Sequence, residues 1–166
     1  MSYNKNANIW NGPGEHFFRE LELEPLVQES GQCVRTCLAM LTSQEPREFH
    51  GVNTQDPVSW SEALKSHGMK LAYCSTDVRK LRYYLDEAAG IDDLFLLCYY
   101  CASDAEVMGE PDEGGWICGS HVVVLHRDKV LDPMLGIETP AAEHGCRGQH
   151  TKRLFRVVPA GYRREL

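Results

Sequence analysis

The sequence lacks the segments that direct a protein into or across a membrane. Residues 1–11 are polar and contain no apolar core of the kind that a secretory signal peptide carries. No apolar run approaches the length of a membrane span. Internal repeats and low-complexity linkers are also absent. We therefore expect a cytoplasmic protein that does not act at a membrane.

Positive charge is scarce. The chain has 17 Lys and Arg against 24 Asp and Glu, which gives a formal net charge of −7. Nucleic-acid-binding proteins usually present a basic stripe or patch. Basic residues cluster only near the C-terminus, and acids outnumber them overall. We expect no nucleic-acid partner.

The cysteines lack the even number and the regular spacing of a disulfide framework. There are seven of them, spread along the chain, and this pattern is typical of reduced thiols in the cytosol. The 166 residues are 43% hydrophobic and 25% charged, which is sufficient for the core of one globular domain.

One cysteine stands at the start of the most clearly predicted helix, which spans residues 32–42. The apolar positions of this helix recur at i, i+3, i+4 and i+7: Val34, Cys37, Leu38 and Leu41. Cys33 therefore lies in the first turn, where unpaired N–H groups and the helix dipole favour the thiolate, the form that attacks carbonyl carbons. The spacing makes Cys33 a candidate nucleophile, although a small buried hydrophobe is the common alternative for such a residue.

Two further helices and a set of strands complete the prediction. Helices are expected over 56–67 and from Thr76 or Asp77 to Gly90. Strands are expected over 69–74, 94–100, 121–125, 129–131 and 154–158. Because helices come first and strands dominate later, we predict an α+β domain with an antiparallel sheet.

Strand geometry can bring His121 and Asp132 together. If the chain turns back through an even-numbered loop at Arg127-Asp128, Asp132 lies opposite Val123 and on the face of His121. Diagonal neighbours on one face have Cβ atoms roughly 5–8 Å apart, within reach of a hydrogen bond from imidazole to carboxylate. Such a carboxylate fixes the tautomer and stabilises the imidazolium that forms when histidine takes a thiol proton. An odd-numbered loop would place it on the other face.

Three motifs together resemble a known family. They are Gln-x4-Cys-Val-x-x-Cys-Leu-Ala-Met-Leu over 28–41, Gly-x-His-Val-Val-Val over 119–124, and Val-Leu-Asp-Pro-x-x-Gly over 130–136. These motifs are similar to those of the bacteriocin-processing peptidases, the papain-like domains that cleave after double-glycine leaders, and of their stand-alone relatives. The resemblance covers residues 26–137, most of the chain.

The resemblance implies a role for each motif residue. Cys33 corresponds to the nucleophile, His121 to the base and Asp132 to the acid that orients the base. Gln28 corresponds to the donor that, with the N–H of Cys33, stabilises the charge on the carbonyl oxygen. Gln32 is the alternative for that donor, because the family more often has one more residue between glutamine and cysteine than Gln28 allows here.

The resemblance also implies the fold and the reaction. We expect a papain-like cysteine proteinase fold, in which the nucleophile helix packs on the sheet, over residues 26–166, preceded by an arm or first strand over 1–25. The expected activity is thiol-dependent hydrolysis of an amide bond in a peptide or protein substrate, without a cofactor. Deamidation and acyl transfer on the same centre are the alternatives, because the fold does not choose among them.

A metal site competes for the same histidine. Cys98-x2-Cys101 and Cys118-x2-His121 have the ligand types and the spacing of a structural zinc site in a non-catalytic module. One feature opposes a zinc site. The two residues between Cys98 and Cys101 are tyrosines at the end of an apolar strand, whereas a zinc knuckle usually has Gly or small polar residues there. The sequence therefore favours a protein without bound metal.

The loop over residues 102–117 is long and acidic. It is either a solvated connection or an acidic lid that selects basic substrates.

Overall fold

The computed structural model describes residues 15–29, 31–101 and 119–163, so the acidic loop over 102–117 lies outside the described residues. The α-helices of the described residues are α1 (Cys33–Thr42), α2 (Pro57–Lys65) and α3 (Arg82–Ile91), and two 3-10 helices span Pro46–Phe49 and Gly145–Gly148. The strands are β1 (Met69–Cys74), β2 (Leu94–Tyr100), β3 (Ser120–His126), β4 (Lys129–Asp132), β5 (Ile137–Pro140) and β6 (His150–Pro159). None of the helices described here is long and apolar enough to cross a membrane.

The strands form one antiparallel sheet in the order β1-β6-β2-β3-β4-β5. Strand β2 lies between β6 and β3, and its first six residues are buried. A strand covered on both faces needs a continuous apolar run, and this is what its sequence provides. The predicted α+β architecture with an antiparallel sheet is therefore confirmed. Strand β5 was not predicted, because it is short, largely exposed and not apolar.

The helices cover both faces of the sheet. Helices α1 and α2 contribute residues such as Leu38 and Leu64 to a core that includes Leu96 and Val124. Helix α3 contributes the residues of its apolar stripe, such as Leu85, to a second core on the other face. Because successive strand residues point to opposite faces, the central strands serve both cores at once.

Helix α3 begins later and ends later than the pattern predicts. The predicted cap was Thr76 or Asp77, but this segment is not helical. The carboxylate of Asp77 instead accepts two hydrogen bonds from the guanidinium of Arg79, each 2.7 Å long. The helix continues through Gly90, at the modest cost that glycine imposes on a helix. It ends at Asp92, which adopts a left-handed backbone conformation with φ 62°.

Residues 15–29 form neither a helix nor a strand, so the described part of the N-terminal segment is an arm. A buried carboxylate fixes its start. Asp93 accepts the N–H groups of Phe17 and Phe18, both at 2.8 Å, and the guanidinium of Arg156 at 2.7 Å. This ion pair lies in the interior, where a charge is tolerated because it is paired and hydrogen-bonded. The arm is thereby tied to the sheet.

Candidate active site

Cys33 lies in the first turn of α1 and lines a cleft of about 320 Å³ together with His121 and Gln28. The residue that precedes the helix, Gln32, makes no side-chain hydrogen bond to the first-turn N–H groups. These groups and the helix dipole therefore remain available to stabilise a negative charge at the helix N-terminus.

The β3–β4 hairpin has the predicted register. Leu125 pairs with Val130, and the turn at Arg127-Asp128 has two residues. Arg127 has φ 58°, as the favoured two-residue hairpin turns require. The even loop places Asp132 on the face of His121, and Nε2 of His121 lies 2.7 Å from Oδ1 of Asp132.

His121 links the carboxylate to the thiol. Its Nε2 atom is engaged by Asp132, and the imidazole also interacts with the thiol of Cys33, whose pKa it lowers. Both His121 and Asp132 are buried, with 5% of each residue exposed. The imidazole of His121 therefore lies between the thiol and the carboxylate and interacts with both.

The charges of Cys33, His121 and Asp132 stabilise each other. Burial raises the pKa of Cys33, but the hydrogen bond and the charge of His121 outweigh it, so the net pKa lies below the usual value. Burial lowers the pKa of His121, whereas Asp132 and Cys33 raise it to about 9. Burial also raises the pKa of Asp132, but its hydrogen bonds bring that pKa well below its usual range. The lowered pKa of Cys33 and the raised pKa of His121 both favour the thiolate–imidazolium pair over the neutral pair, and the two groups titrate together.

A second imidazole binds the same carboxylate. Nε2 of His144 lies 2.8 Å from Oδ2 of Asp132, and Nδ1 of His144 accepts the backbone N–H of Cys146 at 2.9 Å. Because a backbone N–H only donates, this Nδ1 carries no proton, and the Nε2–H must donate to Asp132. His144 is therefore a neutral donor with a fixed tautomer.

No sequence pattern singles out His144. It follows β5, which the pattern did not reveal, and stands immediately before a short 3-10 helix. Its contact with Asp132 arises from the path of the chain after the hairpin, and no local spacing signals that path.

We expect His144 to help keep Asp132 ionised. His144→Phe removes the donor, so the pKa of Asp132 should rise toward its usual range and the carboxylate should lose its charge at a higher pH. The acid limb of Cys33 alkylation should then move to higher pH. In His144→Gln, which retains an N–H donor, the acid limb should return part of the way to its original pH. Alkylation rates measured from about pH 2.5 to about pH 9 test this.

Melting temperatures of both variants provide the control for unfolding. An acid limb that stays in place in folded His144→Phe protein would show that His144 serves only the packing of this region.

The two candidate glutamines open to different cavities. Gln28 lines the Cys33 cleft, and its backbone N–H donates to the carbonyl oxygen of Pro133 at 2.6 Å. Within the described residues, Oε1 of Gln28 has no hydrogen-bond partner. Gln32 lines a separate cavity, and its side chain accepts a hydrogen bond from Arg35. The geometry thus brings Gln28, and not Gln32, to the cleft of the thiol.

Cys98, Cys101 and His121 of the alternative zinc site all line the Cys33 cleft, but these described residues are not arranged as a group that could hold a metal ion. Cys98 pairs with Val122, whereas His121 pairs with Tyr99, so Cys98 and His121 point to opposite faces of the sheet. Cys98 is buried, and burial raises its pKa to about 12, which opposes the thiolate that zinc requires. Cys118 lies outside the described residues. In the parts of the chain described here, no group of three His, Cys, Asp or Glu residues is placed to hold a metal ion.

No family model, no curated protein and no solved structure matches this chain. The likeness to the bacteriocin-processing peptidases therefore rests on the quoted motifs alone. The chemistry of the site rests on the geometry of Cys33, His121 and Asp132.

Proposed function

We propose that the protein is a papain-like cysteine hydrolase that cleaves an amide bond in a peptide or protein substrate. The observation that carries the proposal is that His121 shares a cleft with the Cys33 thiol at a helix N-terminus and is held through Nε2 by the carboxylate of Asp132. A nucleophile, a base within hydrogen-bond reach and a third group that orients the base are the parts that nucleophilic catalysis requires.

The proposed reaction has two stages. The thiolate of Cys33 attacks the amide carbonyl carbon, and the charge on the oxygen is stabilised by the Cys33 N–H and the side-chain amide of Gln28. As the C–N bond breaks, His121 protonates the leaving amine and a thioester remains on Cys33. His121 then takes a proton from water, which attacks the thioester, releases the acid and restores the thiol.

The positions of the same residues also support a papain-like fold. The nucleophile lies on a helix that packs on an antiparallel sheet, while the base and the acid lie on adjacent strands of that sheet. This division between helix and sheet is what the papain-like architecture entails. We place the activity in a reducing compartment such as the cytoplasm, because the mechanism needs a free thiol.

The proposal is tested with a mixture of unstructured peptides whose new termini are identified by mass spectrometry. Cleavage should require Cys33 and be lost in Cys33→Ala. Cys101→Ala is the matched control, since Cys101 is an exposed cysteine that lines the same cleft. Cleavage that persists in Cys33→Ala would contradict the proposal. Conversion of Gln to Glu without chain cleavage would instead identify a deamidase, and transfer to added amines an acyltransferase.

A further inference from the structure

We propose that the Cys33 cleft contains a carboxylate-binding subsite formed by Lys152 and Arg153. The substrate would then carry a carboxylate beside the scissile amide. The second statement rests on the proposed function, whereas the subsite itself rests only on the charges that line the cleft.

The charge of the cleft differs in sign from the charge of the protein. The described residues that line it include Lys152 and Arg153 but no Asp or Glu. The whole chain has a net charge of −7. A concave site lined by one sign of charge concentrates ligands of the opposite sign and raises their association rate. The charges of the described lining residues therefore favour an anionic ligand, although the net charge of the protein is negative.

The position of Lys152 is defined by two contacts. Its Nζ atom lies 3.2 Å from Oγ of Ser120 and 5.7 Å from the centre of the Tyr100 ring. Ser120 and Lys152 line the same cleft as Cys33 and His121, so the ammonium group faces the cleft that contains the reacting groups. An ammonium group has three N–H donors, and the contact with Ser120 uses one of them.

Arg153 extends the same positive surface along β6. It pairs with Cys98 on β2, and Cys98 lines the cleft as well. Guanidinium groups bind carboxylates through two parallel hydrogen bonds, which adds geometric selectivity to the attraction of charge. Two ligand chemistries fit: the side chain of Asp or Glu next to the scissile bond, or the free C-terminal carboxylate of a short peptide.

The subsite is tested first without any substrate, by comparing alkylation of Cys33 with iodoacetate and with iodoacetamide. In both reactions the thiolate sulfur bonds to the CH₂ carbon and iodide leaves, and the reagents differ mainly in charge. The rate ratio of iodoacetate to iodoacetamide should fall about fivefold in Lys152→Gln and further in the double variant with Arg153→Gln. Lys129→Gln, at the far end of the hairpin, removes the same charge and should leave the ratio unchanged. An unchanged ratio in the double variant would overturn the subsite.

The source of the carboxylate is identified with matched peptides. One pair carries Glu or Gln beside the cleaved bond with an amidated C-terminus, and a second pair differs only in a free or amidated C-terminus. The acidic member of one pair should have a kcat/KM about tenfold higher, and this preference should vanish in the double variant. If the rate ratio of iodoacetate to iodoacetamide falls in the double variant but no peptide is cleaved, the subsite stands and the proposed function fails. If peptides are cleaved without this preference and the ratio does not change, the function stands and this inference fails.

Discussion

Replacing Asp132 with alanine is expected to lower turnover by roughly 10²–10⁴-fold, because His121 loses the carboxylate that orients it and stabilises its cation. The carboxylate also accepts hydrogen bonds from His144 and from the backbone N–H of Met134. Its removal leaves several buried donors unpaired, so a loss of stability of a few kcal/mol is expected as well. Turnover is measured together with the melting temperature, or alkylation of Cys33 takes its place until a substrate is found.

Asp132→Asn separates orientation from folding. Both oxygens of Asp132 accept an imidazole N–H, one from His121 and one from His144. An amide has one acceptor oxygen and therefore cannot serve both rings. Where a single imidazole contacts the orienting group, asparagine is a good substitute, but here we expect Asp132→Asn to remain folded and to be clearly slower.

Asp128→Ala is the matched control for the Asp132 variants. Asp128 lies in the hairpin turn, and its side chain is mostly exposed. The variant Asp128→Ala should therefore change turnover little. If Asp128→Ala is the damaging variant while Asp132→Ala behaves like the unaltered protein, the triad deduced from the hairpin is wrong.

Two parts of the site followed from the sequence because local periodicity determines them. The i, i+3, i+4, i+7 spacing placed Cys33 in the first turn of α1, and the structure starts the helix at that residue. The parity of the hairpin loop placed His121 and Asp132 on one face, since side chains alternate along a strand. In both cases a short stretch of chain decides the geometry.

The other parts depend on contacts between distant segments. His144 reaches Asp132 only because β5 and a short loop return the chain to the hairpin, and β5 has too few apolar residues to be recognised. Asp77 has the residue type of a helix cap, but its contact with Arg79 prevails. The choice between Gln28 and Gln32 depended on which cavity each residue opens to, and spacing alone does not determine that.

Cys33 should be the most reactive cysteine at pH 6. An unperturbed thiol is roughly 0.3% ionised at that pH, whereas the imidazole of His121 lowers the pKa of Cys33 and so increases its thiolate fraction. The lower basicity of such a thiolate offsets part of this gain, and a net advantage of about tenfold remains. Burial raises the pKa of Cys37 well above its usual value and those of Cys98 and Cys146 to about 12, so these thiols should react far more slowly.

The imidazole is the source of this advantage. His121→Ala should slow the alkylation of Cys33 at pH 6 by about tenfold, because the thiolate loses its partner. His50→Ala, which alters an exposed histidine, should have no effect.

The most direct test of Cys33 as the nucleophile and His121 as its base is to label the protein at pH 6 with a limiting amount of iodoacetamide and to locate the label by peptide mass mapping. We expect Cys33 to carry most of the label and His121→Ala, but not His50→Ala, to remove this preference. Preferential labelling of Cys37, Cys98, Cys101 or Cys118, or labelling of Cys33 that does not depend on His121, would contradict it.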